Sequence, residues 1–312
     1  MHRLAYPLVL RAIAKRQLGL IAEIVVKILS LHAPFVADHL FDPPPTVQPV
    51  KILQQCRHCT KYSRSEIPMT TGTLYGHIAL VTGGSRGIGA AIVRSLAEAG
   101  AAIAVNYRER ASEANTLVKT IGDAGGHAIA VAADVSQSDA VARMIQRVKS
   151  DLGPIDILIN NAGIAITRGI EDLSETDFDQ TIAVNLKSVF LCTQAVLPMM
   201  RSKGWGRIVN ISSGAARGAG SIGPHYNASK AGIEGLTRGY AARLVKEGIT
   251  VNAVAPSLIE TDMMKGQHNL LSRIPLGRFG KADEVAQAVM MLLDNSYMTG
   301  QTVAMSGGMA FN

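Results

Sequence analysis

The chain has 312 residues, 47% of them hydrophobic, with a formal net charge of +7 and a pI near 9.4. That length and apolar content suit one large domain or two small ones with a substantial core. Nine Lys and Arg against four Asp and Glu fall in residues 1–68, and no basic stripe with interleaved aromatics follows, which argues against a nucleic-acid partner.

Leu8 to Leu31 is rich in Leu, Ile, Val and Ala, but Arg11, Lys15, Arg16, Glu23 and Lys27 interrupt every run long enough to cross a bilayer. An amphipathic surface helix remains open there. Asp42-Pro43-Pro44-Pro45 then stops regular structure, and Gln54 to Thr71 is polar without periodicity. Residues 1–68 therefore form an extension. Three readings compete for it: a cleaved transit segment, which would make the protein organellar; a membrane-surface anchor; or sequence upstream of a natural start at Met69, the favoured one. Without a transit segment a cytoplasmic location is expected. Cys56, Cys59 and Cys192 build no disulfide framework and fit a reducing compartment. Cys56-Arg57-His58-Cys59 has no second pair of ligands, so no metal site is expected.

From His77 onward, short apolar runs alternate with helical segments. The runs are Ile78 to Val81, Ala102 to Val105, Ala128 to Val131, Ile155 to Ile159, Arg207 to Ile211, Thr250 to Val254 and Gln301 to Ala304. Helices are expected over Gly87 to Ala99, Glu109 to Ala124, Ser138 to Leu152, Ser174 to Arg201, Tyr226 to Lys246 and Lys281 to Leu293. Continuous Val/Ile/Leu/Ala runs suit strands buried on both faces. The repeated order predicts an α/β, Rossmann-type, doubly wound seven-stranded parallel sheet in a single domain, residues 69–312.

The first strand runs into Thr82-Gly83-Gly84-Ser85-Arg86-Gly87-Ile88-Gly89, where glycines permit a tight turn and close approach to a diphosphate at a helix N-terminus. Further on, Tyr226 and Lys230 stand four residues apart on one helical face, where an ammonium would favour phenolate and lower the tyrosine pKa from about 10. By itself such a pair is more often a packed ring beside a solvated amine.

The spacing Thr-Gly-x-x-x-Gly-x-Gly resembles the short-chain dehydrogenase/reductase family. So do Asp134-Val135, Asn160-Asn161-Ala162-Gly163, Asn185, Ser213 in Asn210-Ile211-Ser212-Ser213, and Tyr226 with Lys230, all in the family's order from about Leu74 to Met309. The resemblance implies a catalytic set of Asn185, Ser213, Tyr226 and Lys230. It implies nicotinamide-nucleotide contacts from Gly83, Ser85, Arg86, Gly87, Ile88 and Gly89, from Asn106, Tyr107 and Arg108, from Asp134 and Val135, and from Asn161, Ala162 and Gly163. Tyr226, Lys230, Pro256, Ile259 and Thr261 complete that set. No acid closes the second strand, and Arg86 and Arg108 would suit a 2′-phosphate, so the cofactor expected is NADP(H).

One departure is plain: Ser257 follows Pro256 where the family usually carries glycine, which puts the local turn geometry in question. Met264 to Pro275 is expected to be a mobile lid. The tail, Ile274 to Gly280 and Tyr297 to Gln301 ending in Ser306-Gly307-Gly308-Met309, looks most like 3-oxoacyl-[acyl-carrier-protein] reductases. Such reductases usually present basic residues before the fifth strand and at the end of the tyrosine helix to meet an acidic partner. Here Lys203 and Lys246 remain, Glu247 would repel, and Trp205 is unusual. The substrate expected is thus a 3-oxoacyl thioester, on acyl carrier protein where Glu247 allows, or else another small ketone or alcohol. A non-catalytic NADP-binding scaffold is the reading of a different class. Val189, Phe190, Leu191 and Leu236 are expected in a dimer face within a homotetramer.

Overall fold

A strand covered on both faces needs no polar alternation, only short bulky residues between two turn signals, and the seven runs meet that condition. The computed structural model describes residues 73–264 and 268–310. The extension, with the Leu8 to Leu31 segment, the Cys56 and Cys59 pair and Met69, lies outside the described residues.

The elements follow in strict alternation: β1 (Ile78–Val81), α1 (Gly87–Glu98), β2 (Ala102–Tyr107), α2 (Ala111–Asp123), β3 (Ala128–Ala132), α3 (Ser138–Asp151), β4 (Ile157–Asn160), α4 (Glu175–Ile182), α5 (Ser188–Lys203), β5 (Gly206–Ile211), α6 (Pro224–Leu244), β6 (Ile249–Pro256), α7 (Ala282–Asp294) and β7 (Thr302–Met305). All seven strands are parallel, in the order β3-β2-β1-β4-β5-β6-β7. Strand order reverses beside β1, which pairs with both β2 and β4: Leu80 faces Ala104 on one side and Leu158 on the other. At such a switch the connections diverge and leave a crevice at the carboxyl ends of the strands.

Alternation along each strand feeds two cores. Val81, Ile103, Val105, Ile157 and Ile159 pack under α1, α2 and α7. Leu80, Ala104, Leu158 and Ile208 pack under α3, α5 and α6 with Met144, Cys192 and Met200. Burial pushes the Cys192 thiol up to about 12, so it behaves as a small hydrophobe.

The long segment expected as one helix is three pieces. Ser174 opens α4 with a capping box, its Oγ accepting from Asp177 N at 3.1 Å while Asp177 accepts from Ser174 N at 3.3 Å. A single π-helical turn, Ala183–Lys187, then separates α4 from α5. Hydrophobic periodicity cannot show such a turn, because one extra residue preserves an apolar stripe on either side of it. Glu175–Lys203 is long and apolar enough by composition to cross a membrane, yet Cys192, Val196, Leu197 and Met200 sit in the core. Val189 also belongs to the monomer, 2% exposed, which corrects its assignment to a dimer face; Phe190 beside it is 45% exposed. The helical turn points residues 189, 192, 196 and 200 inward together. In the expected lid, Asp262–Met264 and His268–Arg273 are short 3-10 segments, and Ile274 is buried.

The amino ends of the strands close on Asp156, which is almost fully buried. It accepts from Ile78 N at 2.9 Å and from His77 Nδ1 at 3.0 Å, and it holds the Lys203 ammonium. His77 stacks on Trp205 at 4.1 Å, and the Arg207 guanidinium lies 4.4 Å from the same ring. Removing these partners would leave the buried carboxylate uncompensated, which is strongly destabilising.

Ile208 is fully buried at the centre of the sheet, so truncating it leaves a cavity that neighbouring strands cannot close. Ile208→Ala is expected to lower unfolding stability by about 2–5 kcal/mol. Urea denaturation followed by fluorescence checks this; a loss under about 1 kcal/mol would show that the site can collapse.

Candidate active site

Backbone groups at the carboxyl ends of β1 and β4 have no next strand residue to bond, and short polar side chains take their place. Thr82 Oγ1 accepts from Asn161 N at 2.9 Å and Ala162 N at 3.0 Å. Asn161 Nδ2 donates to Thr82 O at 3.0 Å and Gly83 O at 2.9 Å. Asn106, 2% exposed, accepts from Gly83 N at 3.2 Å and donates to Val131 O and Ala133 O at 3.3 and 3.1 Å. The Asn106 and Asn161 side chains, read as cofactor contacts, are consumed inside the protein. They fix the shape of the glycine loop from beneath.

That loop can have no larger residue at its close point. A Cβ on Gly89 would lie 2.3 Å from Gly83 O and 2.6 Å from Asn161 Nδ2. The loop opens α1, whose first N–H groups point out of the helix end with Arg86 at the N-cap and no side-chain cap. Ser85, Gly87 and Ile88 stand in the same turn, half-buried. Thr261 lies over Gly87, within 3.5 Å of where a Cβ there would be, and Arg86 bonds Asp262 at 3.4 Å. The segment after β6 is thereby brought against the loop, with Ile259 buried and bridged to Gly280. A bare backbone cradle at an uncapped helix N-terminus fits a diphosphate.

Beyond β2, Tyr107 is half-buried and Arg108 exposed, its guanidinium held by Glu109 at 2.6 Å. Arg108 shares an open cleft with Ala132, Ala133, Asp134, Ala140 and Arg143. Asp134 Oδ1 accepts from Ser136 N and Oγ at 2.9 and 2.7 Å, a turn that fixes the carboxylate, and Val135 is buried in the core. The sequence reading missed Arg143. The signal was available: it follows Ala140 by three residues on the helix beside Asp134.

Deeper in the crevice, Asn185 is fully buried in the π turn. Its Oδ1 accepts from Ile164 N at 2.8 Å, and its Nδ2 donates to Ile164 O at 3.1 Å and Ser229 Oγ at 3.2 Å. A Cβ on Gly163 would stand 3.3 Å from Asn185 Oδ1 and 3.7 Å from Lys230 Nζ, so the bare glycine keeps those two groups close to one point. Lys230 Nζ donates to Ile211 O at 2.9 Å and lies 5.7 Å from the centre of the Tyr226 ring. Both belong to α6, which begins at Pro224, two residues before the expected start. His225, also missed, is 1% exposed and bonds Ile166 O through Nε2 at 3.0 Å, anchoring the helix mouth.

The electrostatics differ from the expectation. Burial pushes the Tyr226 phenol above its ordinary value, and the hydrogen bond with Ser213 opposes that. The Lys230 ammonium donates to the Ile211 carbonyl, and burial in turn brings Lys230 down to about 8. Ser213, which leaves β5 extended and also accepts from Ala215 N at 3.2 Å, is thus the group that favours phenolate.

Pro256 ends β6 opposite Met305, and at the departure beyond it Ser257 N donates to Met305 O at 2.9 Å, so pairing continues through the substitution. Ser257 Oγ occupies the space a Cβ on Gly214 would need, only 2.4 Å away. The hydroxyl has therefore been accommodated by a glycine across from it.

Comparison with known proteins agrees with this geometry. The model of the short chain dehydrogenase family matches residues 77–270. The 3-oxoacyl-[acyl-carrier-protein] reductase FabG of Staphylococcus aureus is 42% identical over 240 residues, covering 74% of this chain and 97% of that one. The 3-oxoacyl-[acyl-carrier-protein] reductase of Synechocystis sp. is 41% identical over 241 residues, 76% and 98% of the two chains. The (2S)-[(R)-hydroxy(phenyl)methyl]succinyl-CoA dehydrogenase subunit BbsD of Thauera aromatica is 40% identical over 242 residues, 75% and 97%.

Two outcomes test the site. Gly89→Ala should weaken nicotinamide-nucleotide binding more than about tenfold by titration calorimetry, since the strained neighbours are backbone and a locked amide; unchanged affinity would show that the loop gives way. For Lys230, a cation whose folded pKa is depressed, the unfolded chain binds the extra proton between pH about 8 and 10.5, so stability rises with pH across that window. Wild type should gain about 3 kcal/mol there relative to Lys230→Met. Parallel stability curves in urea would contradict the buried ammonium.

Proposed function

The chain belongs to the short-chain dehydrogenase family, and on that premise we propose that it is an NADPH-dependent carbonyl reductase and alcohol dehydrogenase whose preferred substrate is a 3-oxoacyl thioester. The observation that carries this is the convergence of Ser213, Tyr226, Lys230 and Asn185 beside the glycine cradle. NADPH, when bound, supplies the hydride to the carbonyl carbon. Tyr226 holds the proton that the carbonyl oxygen takes, and Ser213 bonds that oxygen and orients it. In the alcohol-oxidising direction the phenolate is the base, and the Ser213 hydrogen bond is what makes it accessible. Lys230 would hold the cofactor ribose, and Asn185, with its surrounding π turn, would support the route by which Tyr226 is reprotonated. Asn185, Tyr226 and Lys230 are buried and Ser213 is half-buried, which limits the access of bulk water.

The case for NADP over NAD rests on the strand end: Asn106 is occupied internally, no carboxylate precedes Arg108, and Arg108 and Arg143 flank one cleft. Arg86, tied to Asp262, contributes from the other side of the loop.

The thioester reading follows the reductases of Staphylococcus aureus and Synechocystis sp. For the carrier, the surface argues in two directions. Glu247, expected to repel an acidic partner, is paired with Arg201 at 2.6 Å. Yet Lys203 is held by Asp156 and Arg207 is buried, which leaves Lys246 exposed without an ion pair among the described residues. A coenzyme A thioester therefore suits the chain at least as well as acyl carrier protein. A second reading, a dehydrogenase of another alcohol or ketone, is favoured by the likeness to the Thauera aromatica dehydrogenase. The scaffold reading is disfavoured because Tyr226 and Lys230 are both kept. A homotetramer in the cytoplasm fits this assignment, with Phe178 and Phe190 on the exposed face of α4 and α5.

The test is NADPH oxidation by the full chain with acetoacetyl-carrier protein, acetoacetyl-coenzyme A and small ketones. Turnover of the thioesters is expected, with a loss of about 100-fold or more in Tyr226→Phe. Arg108→Ala should raise the NADPH Kd about tenfold and leave that for NADH unchanged. Turnover of small ketones alone would replace the substrate and keep the mechanism.

A further inference from the structure

A buried carboxylate is costly to desolvate, and a partly exposed guanidinium repays that only in part, so such a pair retained beside a reaction centre calls for another explanation. Glu234 is 5% exposed on α6, one helical turn beyond Lys230 and two beyond Tyr226. Its Oε2 accepts from Arg217 Nε at 3.0 Å, and its Oε1 from Ser212 Oγ at 3.4 Å. The single Ser212 hydroxyl proton is shared between that oxygen and Lys230 O, the nearer acceptor at 3.1 Å, and Ser212 N donates to Val254 O at 2.8 Å. Arg217 lies in the short loop after β5, its N–H bonded to Gly214 O at 3.3 Å. The carboxylate thus holds the chain one residue before Ser213 and four residues after it.

We propose that Glu234, through Ser212 and Arg217, is a positioning residue that fixes Ser213 against Tyr226. Nothing else among the described residues ties this loop to α6 by an ion pair. The Ser213 side chain is small and its rotamer is set by its backbone, so a loop released on either flank moves the hydroxyl off the phenol. The inference rests on the reading that Ser213 orients the carbonyl oxygen.

The test is a double-mutant cycle with a ketone that the wild type reduces. Glu234→Gln is expected to lower kcat about tenfold, with the NADPH Kd unchanged. In a Ser213→Ala background the same change should cost less than about twofold, because the group it positions is gone. An equal factor in both backgrounds, or no fall in kcat, overturns the proposal. Should Glu234→Gln fail to fold, Arg217→Met in the exposed loop runs the same cycle with the same criteria. Absence of any ketone turnover by wild type would remove the underlying reading and the inference together, whereas an additive cycle in an active enzyme removes the inference alone.

Discussion

A parallel sheet whose strand order reverses must satisfy, at the reversal, backbone groups that no further strand pairing can reach. In this protein three small polar side chains do so: Thr82, Asn106 and Asn161. Their hydrogen bonds are internal, and the glycine loop, the turn at Ala162 and Gly163 and the carboxyl end of β2 all take their shape from them. The site is therefore a property of the sheet's topology before it is a property of any reacting group.

The groups proposed to react are set by desolvation. Lys230, Tyr226 and Asn185 lie where charge is penalised, and each is held by a partner that limits the penalty: Ile211 O, Ser213 and the Ile164 backbone. Such a pocket opposes ionisation until a partner supplies the compensating contact. Ser213 is that partner for Tyr226, which makes the stiffness of the loop carrying it chemically important.

Much of this was legible in the sequence. Strand runs of Val and Ile, glycines at the first turn and the Tyr226 to Lys230 spacing are one-dimensional signals, and each element formed within a few residues of its expected place. Ser213, Asn185 and the nucleotide loop were reached through resemblance, since nothing in their local composition distinguishes them. What stayed hidden depended on distant partners. Asn106 looks like a ligand-facing residue at a strand end, but its amide is used by β3 and the loop. Val189 looks like an interface residue because its burial, to 2% exposure, comes only with the folded chain. Glu247 looks repulsive until Arg201, 46 residues away, is folded against it. The sign of the Tyr226 shift could not be read either, because it is set by how deeply α6 is covered.

The π turn between α4 and α5 has a meaning beyond the placement of Asn185. Each residue of an α-helix advances the azimuth by about 100°, so a one-residue insertion is a phase step between two otherwise matching helices. The step lets α4 present Thr181 inward while α5 turns Cys192, Val196 and Met200 to the sheet. Residues 183–187 act as a phase shifter for everything downstream to residue 203. Their number matters to the fold as Asn185 matters to the site: losing one would restore a regular helix and rotate the whole of α5 out of register with the core.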